Sequence, residues 1–217
     1  MAFSDFQNLH TSAKRKAKTG AVLLAPMSAS LPTAITTGAT PALVTKPTGF
    51  NGLGWVTDDG ATISRSVTTT DITGWQSTSP LRSDVTEDTE TIAVTFHELN
   101  AWVISAYYGV DIAALVPNAT TGEVSWAKPE LPAQGFSRML ILTRDTGDSG
   151  EYLIAELFPR VTVSDFDDLS YSKSDDGLTY GLTFTSLVDS TAGYAKKTFL
   201  AGVGFKADAT ALGFPSA

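Results

Sequence analysis

The stretch that decides the fold is GLTYGLTFTSLV, at residues 177–188. Apolar residues alternate along it with small polar ones. One face carries Leu178, Tyr180, Leu182, Phe184 and Val188. The other carries Thr179, Gly181, Thr183 and Thr185. Because successive side chains of a strand point to opposite faces, this pattern predicts a half-buried β-strand, antiparallel by preference.

Similar patterns on either side predict more strands. The runs RMLILT (138–143) and EYLIAELF (151–158) flank the loop formers DTGDSG, which favours a β-hairpin. Segments rich in β-branched residues predict further strands at 61–69, 91–96 and 196–200, with 21–25 and 53–57 as additional candidates. The chain is therefore predicted to be mainly β.

One segment breaks the two-residue period. The apolar residues Leu99, Trp102, Val103, Ala106 and Tyr107 recur at helical spacing. They predict a single amphipathic helix over about 97–108, beginning near His97 or Glu98 and ending before Gly109. One helix on a β-sheet indicates one domain over residues 1–217.

Three segments of that domain carry no clear strand pattern. Residues 1–50, rich in Ala, Thr, Pro and Gly, are predicted to be an extended N-terminal arm, and about 201–217 a C-terminal arm. Between them, about 70–90 is predicted to be a long loop. Its apolar residues Ile72, Trp75 and Leu81 either fold back on the domain or meet another chain.

The composition excludes several functional classes. There is no cysteine, and the net charge of −8 is uneven: residues 1–50 hold five basic residues and one acid, whereas the rest hold 10 basic residues and 22 acids. An acidic body argues against tight or sequence-specific binding of nucleic acid. The longest apolar runs, near residues 21–27 and 139–143, are shorter than the roughly 20 residues of a membrane helix, so no membrane partner is expected.

Motifs that resemble catalytic or metal sites are incomplete. GDSG at 147–150 matches the nucleophile segment of trypsin-like proteases, but neither His10 nor His97 lies in the sequence context of the base that Ser149 would need. The same loop only partly matches a calcium loop, and HELNA at 97–101 lacks the second histidine of a zinc helix. We predict no catalytic, cofactor-binding or metal-binding residue, and no enzyme.

Residues 53–116 resemble the major tail tube proteins of siphophages, the phages with long non-contractile tails. The resemblance rests on the order of LGWVTDDGATISRSV, DITGW, PLRSDVTED and TIAVTF, followed by a helix that ends in YYGVD. It implies a two-sheet β-sandwich or barrel of the tail-tube type with one flanking helix. Such a subunit assembles with itself into stacked, six-membered rings that form a tube.

The resemblance also implies sites, partners and a location. Subunit and ring contacts are expected at the 70–90 loop and the basic N-terminal arm; the residues are Ile72, Trp75, Leu81, Arg82, Lys14, Arg15, Lys16 and Lys18. The expected partners are the tape-measure protein, the tail-tip and tail-terminator proteins, and double-stranded DNA in transit. The expected location is the virion tail, after synthesis in the bacterial cytoplasm.

Three alternatives remain open from the sequence. The same β-sandwich could be a carbohydrate- or receptor-binding module that uses Trp55, Trp75 or Trp126. It could be a hydrolase that uses Ser149. It could also form the tube of a bacterial secretion system.

Overall fold

The computed structural model describes residues 10, 13–130, 135–171 and 177–215, and it is mainly β, as predicted. It contains an antiparallel sheet of eight strands and a small sheet of two. The strands are β1 (Thr19–Pro26), β2 (Thr36–Thr37), β3 (Ala42–Leu43), β4 (Asn51–Gly52), β5 (Val56–Ile72), β6 (Arg82–Phe96), β7 (Ser137–Gly147), β8 (Gly150–Phe166), β9 (Tyr180–Ser186) and β10 (Lys197–Ala201). The helices are α1 (Ala101–Tyr108), a 3₁₀ turn (Ile112–Ala114) and α2 (Val203–Asp208).

Strand β8 connects the two halves of the large sheet. The order is β4-β1-β7-β8-β9-β6-β5, and β10 also pairs with β8. The first part of β8 lies between β7 and β10, whereas residues 161–166 pair with β9. The two predicted sheets are thus two halves of one continuous sheet.

Both halves contribute to one apolar core. Buried residues of β1, β7, β8, β9, β6 and α1 form a single cluster that includes Phe96, Phe158 and Phe184. A second cluster, with Phe50 and Leu157, covers the opposite face of β1, β7 and β8. This half of the sheet is therefore buried on both faces.

The predicted strands are found with different ends, except the candidate at 53–57, where residues 53–55 lie outside any strand and β5 begins at Val56. The 138–158 hairpin is confirmed as β7 and β8, with Gly147 opposite Gly150 across a two-residue turn. In β9, Tyr180, Leu182 and Phe184 are buried as expected. Val188 is exposed, because the strand ends at Ser186.

The predicted helix is shorter than expected. Asn100 caps α1, since its Oδ1 accepts a hydrogen bond from the Trp102 N–H at 2.9 Å, and Gly109 ends the helix with a φ of 65°. Residues 97–99 therefore lie outside the helix, and Leu99 is exposed. Ile104 is buried beside Val103 instead.

The structure corrects the extent of the two predicted arms. Strand β1 lies inside the predicted N-terminal arm, where Val22 and Leu24 join one core cluster and Leu23 and Ala25 join the other. A strand buried on both faces has no alternating pattern, so its sequence resembles an apolar patch in a loop. The predicted C-terminal arm contains α2, which packs on β8.

The structure also shortens the predicted 70–90 loop. Strand β5 runs to Ile72 and β6 begins at Arg82, so only residues 73–81 connect them. The prediction ended both strands where apolar alternation stops. Backbone pairing continues through exposed Thr, Ser and Asp residues, with one irregularity beyond Thr68.

Candidate assembly surfaces

One face of the sheet is covered by hydroxyl side chains. In β5, β6, β9 and the end of β8, alternate residues enter the core and the others face outward. Paired positions place two outward rows across these four strands. One row is Ser64, Thr91, Thr185 and Thr162; the next is Thr62, Ala93, Thr183 and Asp165. Thr162, at the end of the first row, is buried, and its hydroxyl donates to the Gly135 carbonyl at 3.0 Å. We call these eight residues the hydroxyl face.

The hydroxyl face is polar and carries no positive charge. Its one charged member is Asp165, and Asp59 and Asp167 line one groove with Thr62, Ala93 and Thr183. Within the described part of the chain, no three His, Asp or Glu side chains are grouped as a metal site would require. A surface of neutral hydroxyls and acids has little affinity for a polyanion.

The sheet has open edges beside this face. Within the part of the chain that the structure describes, strand β5 pairs only with β6. Pairing of β7 with β8 ends at Val161, so among the described strands residues 162–166 pair only with β9. Unpaired backbone edges are templates for pairing with another chain.

The distal part of the β5–β6 pair, residues 64–90, projects beyond the core. Every residue of Ser64–Ile72 is exposed, yet the pairing continues to Ile72 opposite Arg82. Arg65 binds Asp88 through two hydrogen bonds of 2.8 and 2.6 Å, which also lowers the pKa of that carboxyl. We call residues 64–90 the distal ribbon.

The end of the distal ribbon holds four of the predicted contact residues. Ile72, Trp75 and Leu81 are all exposed, so the interpretation that they fold back on the domain is wrong. The Leu81 N–H donates to the Ile72 carbonyl at 2.8 Å, which closes the connection. Arg82 binds Asp84 at 2.8 Å.

Three of the predicted basic contact residues, Arg15, Lys16 and Lys18, contact the β7–β8 hairpin of their own subunit. Asp145 accepts a hydrogen bond from the Lys16 N–H at 3.3 Å and pairs with Lys18 at 3.2 Å and Arg15 at 3.5 Å. These contacts, the Lys16 N–H first, lower the pKa of Asp145. Lys14 is exposed. The structure therefore places this segment on the β7–β8 hairpin of the same chain.

Arg15 links the two ends of the chain. Its guanidinium lies 3.8 Å from the centre of the Tyr152 ring, and the Tyr152 hydroxyl donates to Asp208 at the end of α2. Ser149, the serine of the GDSG motif, donates to the same carboxylate at 2.8 Å. The Ser149 hydroxyl therefore donates to a carboxylate of α2. The hydroxyl of a serine nucleophile donates to a histidine base, so the arrangement at Ser149 is a different one.

Sequence reasoning found the apolar tip but not the hydroxyl face. Alternating hydroxyl residues were visible within β9 and within β5 separately. Their alignment across Thr91 into one surface depends on strand register, which no single segment reveals.

The chain matches the family described as phage tail tube protein over residues 7–201. It belongs to that family. The predicted resemblance is thereby confirmed at the level of the tail tube, and the tail tube protein is a structural component of the virion tail rather than an enzyme. Tube formation requires that it assemble with copies of itself and with other tail components.

Two solved structures show limited similarity to the chain. One, titled "Cryo-EM structure of the anti-feeding prophage (AFP) baseplate, 6-fold symmetrised", is 8% identical and has a TM-score of 0.42; the match covers 89% of the tail tube protein and 99% of that chain. The other, "Crystal structure of Hcp protein", is 10% identical with a TM-score of 0.32, over 83% and 97%. No curated protein matches the sequence. In the described part of the tail tube protein, no helix is long and apolar enough to cross a membrane.

Proposed function

We propose that this tail tube protein forms stacked hexameric rings in the tail of a siphophage, and that the hydroxyl face lines the lumen of the tube. The observation that carries the proposal is the four-strand surface of neutral hydroxyls bordered by acids, next to two open strand edges. That the protein forms a tube follows from its membership of the tail tube family. The siphophage tail and the ring of six come from the sequence resemblance.

The open edges supply a way to close a ring. The edge of β5 in one subunit can pair with residues 162–166 of β8 in the next, which extends the sheet around the ring. Closure removes the exposed edges that would otherwise promote aggregation. The same pairing would place the hydroxyl faces of all subunits on the same side of the ring wall.

An acidic, hydroxyl-lined lumen suits passage of DNA. Few cations are available to hold phosphates, so double-stranded DNA can slide through without specific contacts. By the same resemblance, the tape-measure protein occupies the lumen before the DNA, tail-tip and tail-terminator proteins bind the tube ends, and the subunit is made in the host cytoplasm.

The first experiment is negative-stain electron microscopy of the concentrated wild-type protein, with and without a purified tail-tip complex as a seed. Rings or hollow tubes are expected. A monomer under both conditions would contradict the proposal.

A labelling experiment tests which face lines the lumen. Because the chain has no cysteine, Ala93→Cys introduces a single thiol at the centre of the hydroxyl face. In tubes, a small maleimide should react with it and a bulky polymer-linked maleimide should not. Both reagents should react with unassembled subunits. Equal reaction of the bulky reagent with tubes and subunits would place this face outside the lumen.

A further inference from the structure

Exposed apolar side chains lie at both ends of the β5–β6 pair. At the distal end, Trp75 is 98% exposed. At the opposite end, Trp55 immediately precedes β5 and is 74% exposed, and Leu99 follows β6 and is 71% exposed. Large apolar groups held in water at two sites indicate two interaction surfaces.

The Trp55 and Leu99 end is fixed by hydrogen bonds. The His97 N–H donates to the Trp55 carbonyl at 2.9 Å, which holds the two segments together. Asn100 both caps α1 and donates from Nδ2 to the Gly52 carbonyl at 3.4 Å. The exposure of this end is therefore part of the folded structure. We call Trp55, Leu99 and the segments around them, 53–59 and 97–100, the proximal patch.

The distance between the two ends suits a contact between different copies. Nine residues separate Ile63, which is partly buried against the core, from Ile72, so the tip projects about 30 Å along the strand. The proximal patch lies at the other end of the same strands. Joining two different patches of identical subunits is a head-to-tail contact, and such contacts repeat into open filaments.

The charges of the two ends are complementary. The tip, residues 72–82, has one charged side chain, Arg82. The proximal patch carries Asp58, Asp59 and Glu98 and no Lys or Arg. Opposite charges at the rim of an apolar contact favour one orientation of the partners.

We propose that the tip of each subunit packs on the proximal patch of a subunit in the next ring, with Trp75 against Trp55 and Leu99 and with Arg82 facing Asp58 and Asp59. This inference rests on the proposed tube and names both sides of the contact between rings. An aromatic anchor against an apolar surface is the usual centre of an interface.

The test is cross-linking in assembled tubes with a short bis-maleimide. Gln76→Cys lies beside Trp75 and His97→Cys lies beside Leu99, and both residues are exposed, so the proposed anchors stay in place. Mixed tubes of the two single variants should give covalent dimers. The double variant should give a ladder of multimers, because a head-to-tail contact continues from ring to ring.

The control pair replaces His97→Cys by Ala211→Cys. Ala211 is exposed next to an apolar pocket that Arg15, Leu212 and Phe214 line. This pocket is another surface that an apolar tip could occupy. The proposal predicts no cross-link between Gln76→Cys and Ala211→Cys.

The outcomes are separable. Tubes without the Gln76–His97 cross-link, or with the Gln76–Ala211 cross-link in its place, would overturn this contact. They would not contradict the proposed tube. Absence of tubes from the wild-type chain would overturn the proposed function and this contact together.

As a second measurement, Trp55→Ala with Leu99→Ala should raise the concentration needed for tube growth at least about tenfold, while the subunit stays folded. Unchanged tube growth would also overturn the contact.

Discussion

The two halves of the β5–β6 pair share one hydrogen-bonded ladder but differ in what surrounds it. In the proximal half, Ile92, Val94 and Phe96 are buried against α1 and β9. In the distal half, Val67, Ile72 and Val85 are exposed. The strand pairing is the same in both halves, so the ladder alone does not determine burial.

The difference separates folding from assembly along one pair of strands. Burial of apolar surface stabilises the proximal half within the subunit. The distal half buries little and is held by its pairing and by pairs such as Arg65 with Asp88. A two-stranded ribbon is marginal by itself, so a partner is expected to complete it. Substitutions in the proximal half should affect the fold, and those in the distal half should affect the tube.

The largest effect is expected at Phe96, whose exposed fraction is 0%. Phe96→Ala leaves a cavity in the main core and should lower the free energy of unfolding by about 3–5 kcal/mol. Urea denaturation followed by circular dichroism measures the loss. Val67→Ala, in the distal half, is the matched control and should change stability by less than about 0.5 kcal/mol. Similar losses in both variants would remove the distinction between the halves.

This contrast explains which parts of the fold the sequence predicted. In β9, alternation revealed Tyr180, Leu182 and Phe184, because one face is buried and the other is polar. Strand β1 lacked alternation, since both of its faces are buried. The distal ribbon lacked it for the opposite reason, because both faces are exposed. Burial on a single face is what produces the two-residue pattern.

The candidate sites divide in the same way. Trp75 and its neighbours could be selected as candidates, since apolar residues in a polar segment stand out locally, and their role in assembly stays a prediction. The contact of Arg15 with Asp145 could not be predicted, because it joins residues that are far apart in sequence. The proximal patch was missed because Leu99 fits the helical spacing of α1, although Asn100 starts the helix after it.

A smaller effect is expected where the N-terminal segment meets the β7–β8 hairpin. The pKa of Asp145 is lowered in the folded protein, so the charged form stabilises the contact above the ordinary aspartate pKa of about 3.9. That stability should be lost as the pH falls from there through the lowered pKa. The protection of the amide hydrogens of segment 13–18, relative to their intrinsic exchange rate at the same pH, should then fall, as hydrogen exchange with mass spectrometry would measure.

Asp145→Asn should produce part of this release at neutral pH. Trypsin should cleave after Lys16 and Lys18 faster than in the wild type, because the charge that holds Arg15 and Lys18 is absent. Asp148→Asn, in the exposed turn of the same hairpin, is the control and should not change the cleavage rate. Equal rates for Asp145→Asn and the wild type would mean that the ion pairs do not hold the segment.

A still smaller effect is expected from the ion pair of the distal ribbon. Arg65 and Asp88 are both exposed, and exposed pairs add little to stability because solvent screens them. Asp88→Asn should leave the midpoint of urea unfolding unchanged within error. A clear fall in the midpoint would show that the distal ribbon contributes to the stability of the subunit after all.

The smallest effect on the fold is expected at Trp75, and its effect on the tube should be complete. Trp75→Ala should unfold at the wild-type urea concentration, because this side chain is 98% exposed in the subunit. Electron microscopy at a concentration where the wild type forms tubes should nevertheless show none. Val116→Ala removes another exposed apolar side chain and should form tubes normally. Normal tubes from Trp75→Ala would contradict the central claim that the distal ribbon is reserved for assembly.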